Sequence, residues 1–129
     1  MSIDDDFEVP NSAQDLPLAT EPDAKFFILY IASTDPATQQ PWCSDVRAAL
    51  PILNQIFSAP SSPEVHYAYV GSKVEFKENP SNRFRTDWNI NNIPALVRYQ
   101  WVGGKVEEVG RLKEDELLDE KRVQDLIAS

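Results

Sequence analysis

The sequence has 129 residues, enough for one domain, and 21 acidic side chains against 12 basic ones give it a formal net charge of −9 at pH 7. A negative charge of this size repels phosphate backbones and anionic lipid surfaces, so we expect no nucleic-acid partner and no membrane partner. The sequence contains no apolar run of the roughly 18 to 20 residues that cross a membrane, and its acidic start is unlike a signal peptide. We therefore expect a cytoplasmic protein.

The first third of the sequence contains one long apolar segment. Residues 1–6 are predicted to form an acidic, flexible tail, and a single domain is predicted over residues 7–129. At the start of this domain, Phe7–Pro10 predicts a short edge strand that the proline ends. The continuous apolar run Phe26–Ala32 has the length of a strand and predicts one that is buried on both faces.

A helix is predicted after the polar loop Thr34–Pro41. The helical segment opens at Cys43, and apolar residues recur three and four positions apart as far as Phe57. Pro51 lies inside this run and has no backbone N–H. The helix should therefore bend there and leave the Arg47 carbonyl without its usual partner.

The second half of the sequence predicts a strand, a short helix and a hairpin. Val65–Val70 is a second interior strand, in which His66 is expected to be satisfied by its neighbours. After a charged loop, Pro80–Trp88 predicts a short helix. The β-rich runs Leu96–Val102 and Lys105–Val109 flank two glycines, which predicts a hairpin.

The C-terminal segment predicts a last helix that Asp119 can cap and that buries Val123, Leu126 and Ile127. Leu112–Leu118 keeps no single apolar face and receives no assignment. Strands and helices therefore alternate and are followed by a hairpin. This order predicts an α/β fold with a central mixed sheet of four to five strands flanked by helices on both faces.

Cys43 is the only cysteine, so one chain can form neither an internal disulfide nor a metal cluster of several thiolates. We expect no metal and no cofactor. A thiol at a helix N-terminus faces unpaired backbone N–H groups and the positive end of the helix dipole, and both favour the reactive thiolate. Asp45 opposes this effect with its negative charge. The alternative is a buried, unreactive cysteine.

Three features in the right order resemble those of thioredoxins. W-C-S-D-V at Trp42–Val46 resembles their W-C-x-x-C active site, and Pro51 follows Cys43 at the spacing of their helix proline. I-P-A-L at Ile93–Leu96 resembles the loop whose cis-proline faces the active cysteine. The resemblance implies a thioredoxin fold in which the Ile93–Pro94 peptide bond is cis and this loop contacts Cys43.

The sequence is more closely similar to the thioredoxin domain-containing protein 17 group, whose active site reads W-C-P-D-C after a longer loop. The loop Thr34–Pro41, the pair Trp42–Cys43 and Asp45 correspond to that pattern. The segment Val70–Arg85, which reads V-G-S-K-V-E-F-K-E-N-P-S-N-R-F-R, resembles the group's V-G-x-K, K-[DN]-P and N-x-F-R elements at matching spacings. The similarity extends from about Phe7 to the C-terminus.

The sequence departs from this group at the second cysteine, which Val46 replaces. No internal disulfide can then release a bound substrate, so the dithiol cycle of thioredoxins is unavailable. Ser44 stands where the group has proline, and Ala95 stands where threonine is usual. The buried acid of thioredoxins is also missing, because its counterpart is Leu29 or Tyr30.

The resemblance implies a protein-disulfide reductase that works with one thiol. Cys43 is its catalytic residue and forms a mixed disulfide with a protein or a low-molecular-weight disulfide. An external thiol, either glutathione or a reductant of the thioredoxin system, then resolves that intermediate. The residues expected to bind the substrate are Trp42, Ser44, Asp45, Ile93 and Pro94.

Two alternatives remain open. In one, the fold has lost its catalytic activity and keeps the groove beside the proline as a binding or scaffold module. The loss of one cysteine favours this interpretation. In the other, the protein is a one-cysteine peroxidase. That interpretation ranks last, because Arg47 is the only basic residue near Cys43 in the sequence.

Overall fold

Five strands form one mixed sheet at the centre of the fold, in a computed structural model that describes residues 3–128. In chain order, the strands are β1 (Ile3–Asp4), β2 (Lys25–Ile31), β3 (Thr34–Asp35), β4 (Gln40–Pro41), β5 (Val65–Tyr69), β6 (Ala95–Val102) and β7 (Lys105–Lys113). The helices are α1 (Ser44–Phe57), α2 (Lys73–Phe76), α3 (Arg83–Thr86) and α4 (Glu120–Ala128), and Ala13–Asp15 and Glu114–Leu118 are 3₁₀ helices. β3 and β4 form a separate hairpin within the predicted polar loop.

β2 is the central strand of the sheet, whose order is β1-β5-β2-β6-β7. It runs parallel to β5 and antiparallel to β6, and β7 pairs antiparallel with β6 at one edge. Every residue of β2 from Phe26 to Ile31 is buried, and successive side chains of a strand point to opposite faces, so both faces of the sheet are covered. The predicted strand is confirmed, and it begins one residue earlier, at Lys25.

Helices cover the two faces of the sheet. Leu29 and Tyr67 are directly paired across β2 and β5, so their side chains share a face. On that face, the rings of Phe57 in α1 and Tyr67 lie 6.4 Å apart. Tyr30 points to the opposite face, where the Phe84 ring of α3 lies 6.1 Å from its own. The predicted α/β fold, with a mixed sheet between helices, is confirmed with five strands.

The N-terminal segment differs from its prediction. Ile3 and Asp4, which we assigned to a flexible tail over residues 1–6, form the edge strand β1 and pair in parallel with β5. The predicted edge strand Phe7–Pro10 is wrong, because β1 already occupies that edge of the sheet. The first two residues of the predicted tail and the last residue of the predicted domain lie outside the described residues.

α1 begins and ends as the apolar spacing predicted. Cys43 is its N-cap, Pro51 lies inside it, and the proline has no N–H to offer the Arg47 carbonyl one turn earlier. The bend expected at Pro51 stays a prediction. The helix buries the side chains of Val46, Ala49, Leu53, Ile56 and Phe57.

Two short helices follow β5, where one was predicted. α2 lies in the stretch predicted as a charged loop, and a capping box starts it: Ser72 Oγ accepts from the Glu75 N–H at 3.2 Å, and Glu75 Oε1 accepts from the Ser72 N–H at 2.8 Å. The predicted helix Pro80–Trp88 is shorter as α3. It starts late because Asn82 Oδ1 accepts the Phe84 N–H at 2.9 Å and caps the helix there.

The C-terminal part follows its prediction with two extensions. β7 continues to Lys113 rather than ending at Val109, and the unassigned segment is completed by the 3₁₀ helix Glu114–Leu118. α4 follows Asp119 and buries Val123 and Ile127, whereas Leu126, which was also predicted to be buried, is only partly buried. No helix within residues 3–128 has the length and apolar content needed to cross a membrane.

His66 is satisfied within the sheet, as expected. Its side chain is on β5, and Nδ1 donates a 2.9 Å hydrogen bond to Asp4 Oδ2 of β1. The imidazole stacks on the Phe26 ring with centroids 4.2 Å apart, and the Phe7 ring lies 4.8 Å away. His66 therefore attaches the first strand to the core.

Candidate active site

Cys43 sits at the junction between the hairpin β3–β4 and the start of α1. Its backbone has strand-like angles, φ −96° and ψ 125°, while its carbonyl accepts the first helical hydrogen bond, from the Arg47 N–H at 3.1 Å. The thiol makes no capping hydrogen bond and is partly exposed. The first N–H groups of α1 and the positive end of its dipole therefore face the region of the thiol.

The loop before β6 meets Cys43, as the resemblance implied. Cys43 Sγ lies 3.9 Å from the Ile93 carbonyl oxygen, and the Ile93–Pro94 peptide bond is cis. The Pro94 carbonyl accepts the Glu114 N–H at 2.8 Å, which ties the loop to the end of β7. Ile93 and Pro94 are buried, so this loop is packed against the core beside the thiol.

Trp42 is held in place by a hydrogen bond to the end of β5. Its indole Nε1 donates to the Gly71 carbonyl at 2.8 Å. Gly71 is itself fixed, because its N–H donates to Ser33 Oγ at 3.0 Å and its carbonyl also accepts the Ser33 N–H at 3.1 Å. The indole thus connects the Cys43 segment to the residue that precedes α2.

A pocket of about 290 Å³ opens beside Cys43. Four of the residues predicted to bind substrate, Trp42, Ser44, Asp45 and Ile93, line it, and Ser44 and Asp45 are exposed. That they bind a substrate stays a prediction. Pro94, which we also predicted to bind substrate, is buried and does not line this pocket. The lining residues that sequence reasoning missed are Lys73, Phe76, Lys77, Asn91, Asn92 and Glu114.

The missed lysines change the electrostatics expected at the site. Lys73 and Lys77 are four residues apart, so they project from the same side of the α2 turn, and both are exposed. Arg47, the basic residue that the sequence placed near the thiol, instead donates from Nη1 to the Pro41 carbonyl at 2.6 Å and does not line the pocket. The S-x-x-E capping pattern at Ser72 was a readable signal for this helix.

No second thiol stands behind Cys43. Val46, one turn further along α1, is 0% exposed and belongs to the hydrophobic core. Among residues 3–128, no three His, Cys, Asp or Glu side chains converge where they could hold a metal ion. Cys43 is the one cysteine of the sequence, and its segment lines the pocket.

Tyr30 of the central strand β2, one of the two counterparts of the buried acid of thioredoxins, pairs with Tyr99 of the neighbouring strand β6. The hydroxyl groups of Tyr30 and Tyr99 share a 2.9 Å hydrogen bond in the core. Burial raises the pKa of Tyr30, and burial likewise raises the pKa of Tyr99, so both hydroxyls stay neutral near pH 7.

The chain is similar to several known thioredoxin-like proteins. A family model described as thioredoxin domain-containing protein 17-like, thioredoxin domain, matches residues 8–129. Thioredoxin domain-containing protein C21C3.12c of Schizosaccharomyces pombe is 44% identical over 73 residues, which cover 57% of this chain and 58% of that protein. Thioredoxin-like protein Clot of Arabidopsis thaliana is 35% identical over 91 residues, which cover 68% of this chain and 64% of that protein. Each match spans less than two thirds of the relative's length.

A solved structure supports the fold independently of sequence. Plasmodium falciparum thioredoxin superposes with a TM-score of 0.50 at 11% identity, over 80% of this chain and 70% of that chain. At such a low identity the likeness concerns the fold alone. The architecture is a thioredoxin fold.

Proposed function

The chain belongs to the thioredoxin domain-containing protein 17-like family, and from this premise we propose that it exchanges thiols and disulfides through Cys43 alone. The observation that carries the proposal is a partly exposed thiol at the start of α1, 3.9 Å from the Ile93 carbonyl and open to a pocket. A cysteine used only for packing would be buried among apolar side chains, as Val46 is.

The proposed reaction has two steps. The Cys43 thiolate attacks one sulfur of a substrate disulfide and forms a new S–S bond, and the other sulfur leaves as a thiolate that water protonates. The thiolate of an external thiol then attacks the sulfur of the bound half, and Cys43 leaves as a thiolate. The bound half leaves as a mixed disulfide with the external thiol, the other half has left as a thiol, and the protein is unchanged.

The external thiol is required because Val46 offers none. In a dithiol thioredoxin the second cysteine attacks the mixed disulfide from within the chain, and that path is closed here. A reducing cytoplasm would supply the missing thiol as glutathione or as a reduced protein of the thioredoxin system. We place the protein in that compartment.

Extended substrates would pair with the backbone at Ile93. Within residues 3–128, no backbone hydrogen bond occupies the N–H or the carbonyl of Ile93. The Ile93 carbonyl accepts only the Cys43 thiol in the described part of the chain, and that contact is lost when the thiol ionises. The backbone N–H and carbonyl of Ile93 then suit the addition of a short extended segment, with Trp42 at the side of the groove. This mode favours a protein disulfide or a peptide disulfide as the substrate.

A binding module is the second candidate function. The observation in its favour is that Val46 is fully buried, so the first turn of α1 is packed as a structural element rather than as a redox pair. A module of this kind would bind the same extended segment at Ile93 without forming a covalent bond. The two functions therefore differ in whether Cys43 reacts.

Restoring the second thiol tests the proposal. Val46→Cys places a thiol one turn along α1 from Cys43, within the distance that a disulfide spans. We expect this variant to reduce a low-molecular-weight disulfide with repeated turnover in the presence of a thioredoxin reductase, whereas the native protein stops at the mixed disulfide.

Two variants control this experiment. Ala49→Cys also adds a buried thiol, but it lies about 9 Å along the helix from Cys43 and cannot resolve the adduct, so it should gain no turnover. Cys43→Ser in the Val46→Cys background should abolish turnover. If Val46→Cys gains no activity and native Cys43 forms no adduct, the binding-module function is supported instead.

A further inference from the structure

The pocket beside Cys43 carries two lysines whose charges have no ion-pair partner within residues 3–128. Lys73 lies at the start of α2 and Lys77 directly follows that helix, and both line the pocket with the thiol. Neither forms a salt bridge in the described part of the chain, although acidic residues outnumber basic ones by 21 to 12. Cations that remain unpaired in an acidic protein are available to an anionic ligand.

The backbone beneath these lysines is fixed. Arg85 Nη1 donates to the Phe76 carbonyl at 3.1 Å and to the Lys77 carbonyl at 3.2 Å, which ties down the C-terminal end of α2. Phe76 is buried, and the capping box at Ser72 fixes the other end of the helix. The lysine stems thus extend into the pocket lining from a short helix whose backbone is held at both ends.

The acidic lining residues come from other elements. Asp45 belongs to the first turn of α1, and the partly buried Glu114 follows β7. The two lysines and the two acidic residues of the lining therefore sum to no net charge. The positive charges lie on the α2 side of the pocket, and the negative charges lie on other elements. A ligand that carries a carboxylate is attracted only if it places that group toward α2, and a ligand ammonium is attracted to Asp45 or Glu114.

The size of the pocket favours a small ligand. A volume of about 290 Å³ is at the lower end of the range for small-molecule sites. Resting on the function proposed above, we propose that Lys73 and Lys77 select low-molecular-weight disulfides and thiols that carry carboxylates. A disulfide of this kind forms the mixed disulfide with Cys43 and releases one thiolate, and a thiol of the same kind then attacks the bound half and releases Cys43 as a thiolate.

The test compares three symmetrical disulfides of different charge. Glutathione disulfide carries carboxylates, bis(2-hydroxyethyl) disulfide is neutral, and cystamine is cationic. The rate at which each forms an adduct on Cys43 is measured by mass spectrometry, and each rate is divided by that of the neutral compound. The ratio cancels any change in the intrinsic reactivity of the thiol, because such a change affects all three compounds alike.

The decisive variant is Lys73→Glu/Lys77→Glu. We expect the ratio for glutathione disulfide to fall about tenfold and the ratio for cystamine to rise, with both shifts shrinking at high salt. Lys73→Gln/Lys77→Gln removes the two positive charges without adding acidic charge at the C-terminal end of α2. In this variant both ratios should shift in the same direction as in the glutamate variant, but by less. The matched control is Lys25→Glu/Lys105→Glu, which changes the net charge equally at exposed positions outside this pocket and should leave both ratios unchanged.

The outcomes separate the two proposals. If all three disulfides form adducts but the ratios do not move in the Lys73/Lys77 variants, or move equally in the control, the lysines do not select the ligand and this inference is overturned. If none of the three forms an adduct on native Cys43, the proposed function itself is wrong.

Discussion

The Trp42 indole nitrogen donates a 2.8 Å hydrogen bond to the Gly71 carbonyl, and this bond links the segment that carries Cys43 to the residue that precedes α2. The bond therefore connects two parts of the pocket lining, the segment of Trp42 and Cys43 and the helix α2. We expect Trp42→Phe, which keeps the ring but removes the donor, to lower the free energy of unfolding by about 1 kcal/mol and to slow adduct formation at Cys43. Urea denaturation and mass spectrometry measure the two effects.

Trp101→Phe is the control for this variant. It removes a second indole hydrogen bond of the same length, from Nε1 to the Ala19 carbonyl, outside the pocket. A similar loss of stability with an unchanged rate is expected. Equal slowing in both variants would contradict a specific role for Trp42.

Gly71 is required by its backbone and by its surroundings. Its φ of +111° is unfavourable for residues with a side chain, and an added Cβ would lie 3.0 Å from the Glu75 Cβ. Gly71→Ala should therefore destabilise the fold by about 1 to 3 kcal/mol. Gly103 also has a positive φ, +60°, but a Cβ added there would meet no atom within 4 Å. Gly103→Ala should therefore lower the free energy of unfolding by less. Equal losses on thermal unfolding would show that the contact with Glu75 is unimportant.

Because of the buried Tyr30–Tyr99 pair, we expect the free energy of unfolding to fall at alkaline pH. Because burial raises the pKa of Tyr30 in the folded state, its contribution is complete below the unfolded value of about 10 and is lost as the pH rises beyond it. Tyr30→Phe leaves the Tyr99 hydroxyl buried without this partner, and should cost about 1 to 3 kcal/mol at pH 7.

Removing both hydroxyls measures the energy of the hydrogen bond between Tyr30 and Tyr99 apart from the packing of their rings. Tyr30→Phe/Tyr99→Phe should cost less than the sum of the single changes and should flatten the fall in stability above pH 10. Unfolding curves from pH 7 to 11 measure both effects. Strict additivity of the two single changes would contradict the energetic coupling of the hydroxyls.

The contact between Asp4 and His66 predicts a loss of stability in acid. The hydrogen bond from His66 lowers the pKa of Asp4, so the stabilisation is present above the unfolded value of about 3.9 and is lost as the pH falls through the folded value. The Asp4 side chain is 35% exposed, so solvent screening limits the effect to below about 1 kcal/mol. Asp4→Asn should remove this loss of stability in acid. Asp5 forms no ion pair within residues 3–128, so the control variant Asp5→Asn should lose stability in acid as the native protein does.

Much of the fold was readable because its central elements have strong local patterns. β2 is a continuous apolar run and α1 has a clear apolar face, so both were predicted within a residue or two. β1 has only two residues and exists because it pairs with β5, which lies more than 60 residues away in the sequence. No local pattern in a sequence reveals such a strand.

The site was predicted only in part. The resemblance brought Cys43 and Ile93 together correctly, although they are 50 residues apart. Lys73 and Lys77 lie in sequence elements that were noted, but they were missed as lining residues because their approach to Cys43 depends on tertiary packing. The charge of a pocket is therefore harder to predict from a sequence than its reactive residue.

The most direct test of the central claim is a stoichiometric one. The reduced native protein is mixed with a small excess of glutathione disulfide, and the intact protein mass and the released thiol are measured together. The account predicts one glutathione attached through Cys43 and one thiol released per chain, with no further net release, and an external thiol added afterwards should remove the adduct and restore the unmodified mass. A native protein that stays unmodified, or one that releases thiol repeatedly without an external reductant, would contradict it.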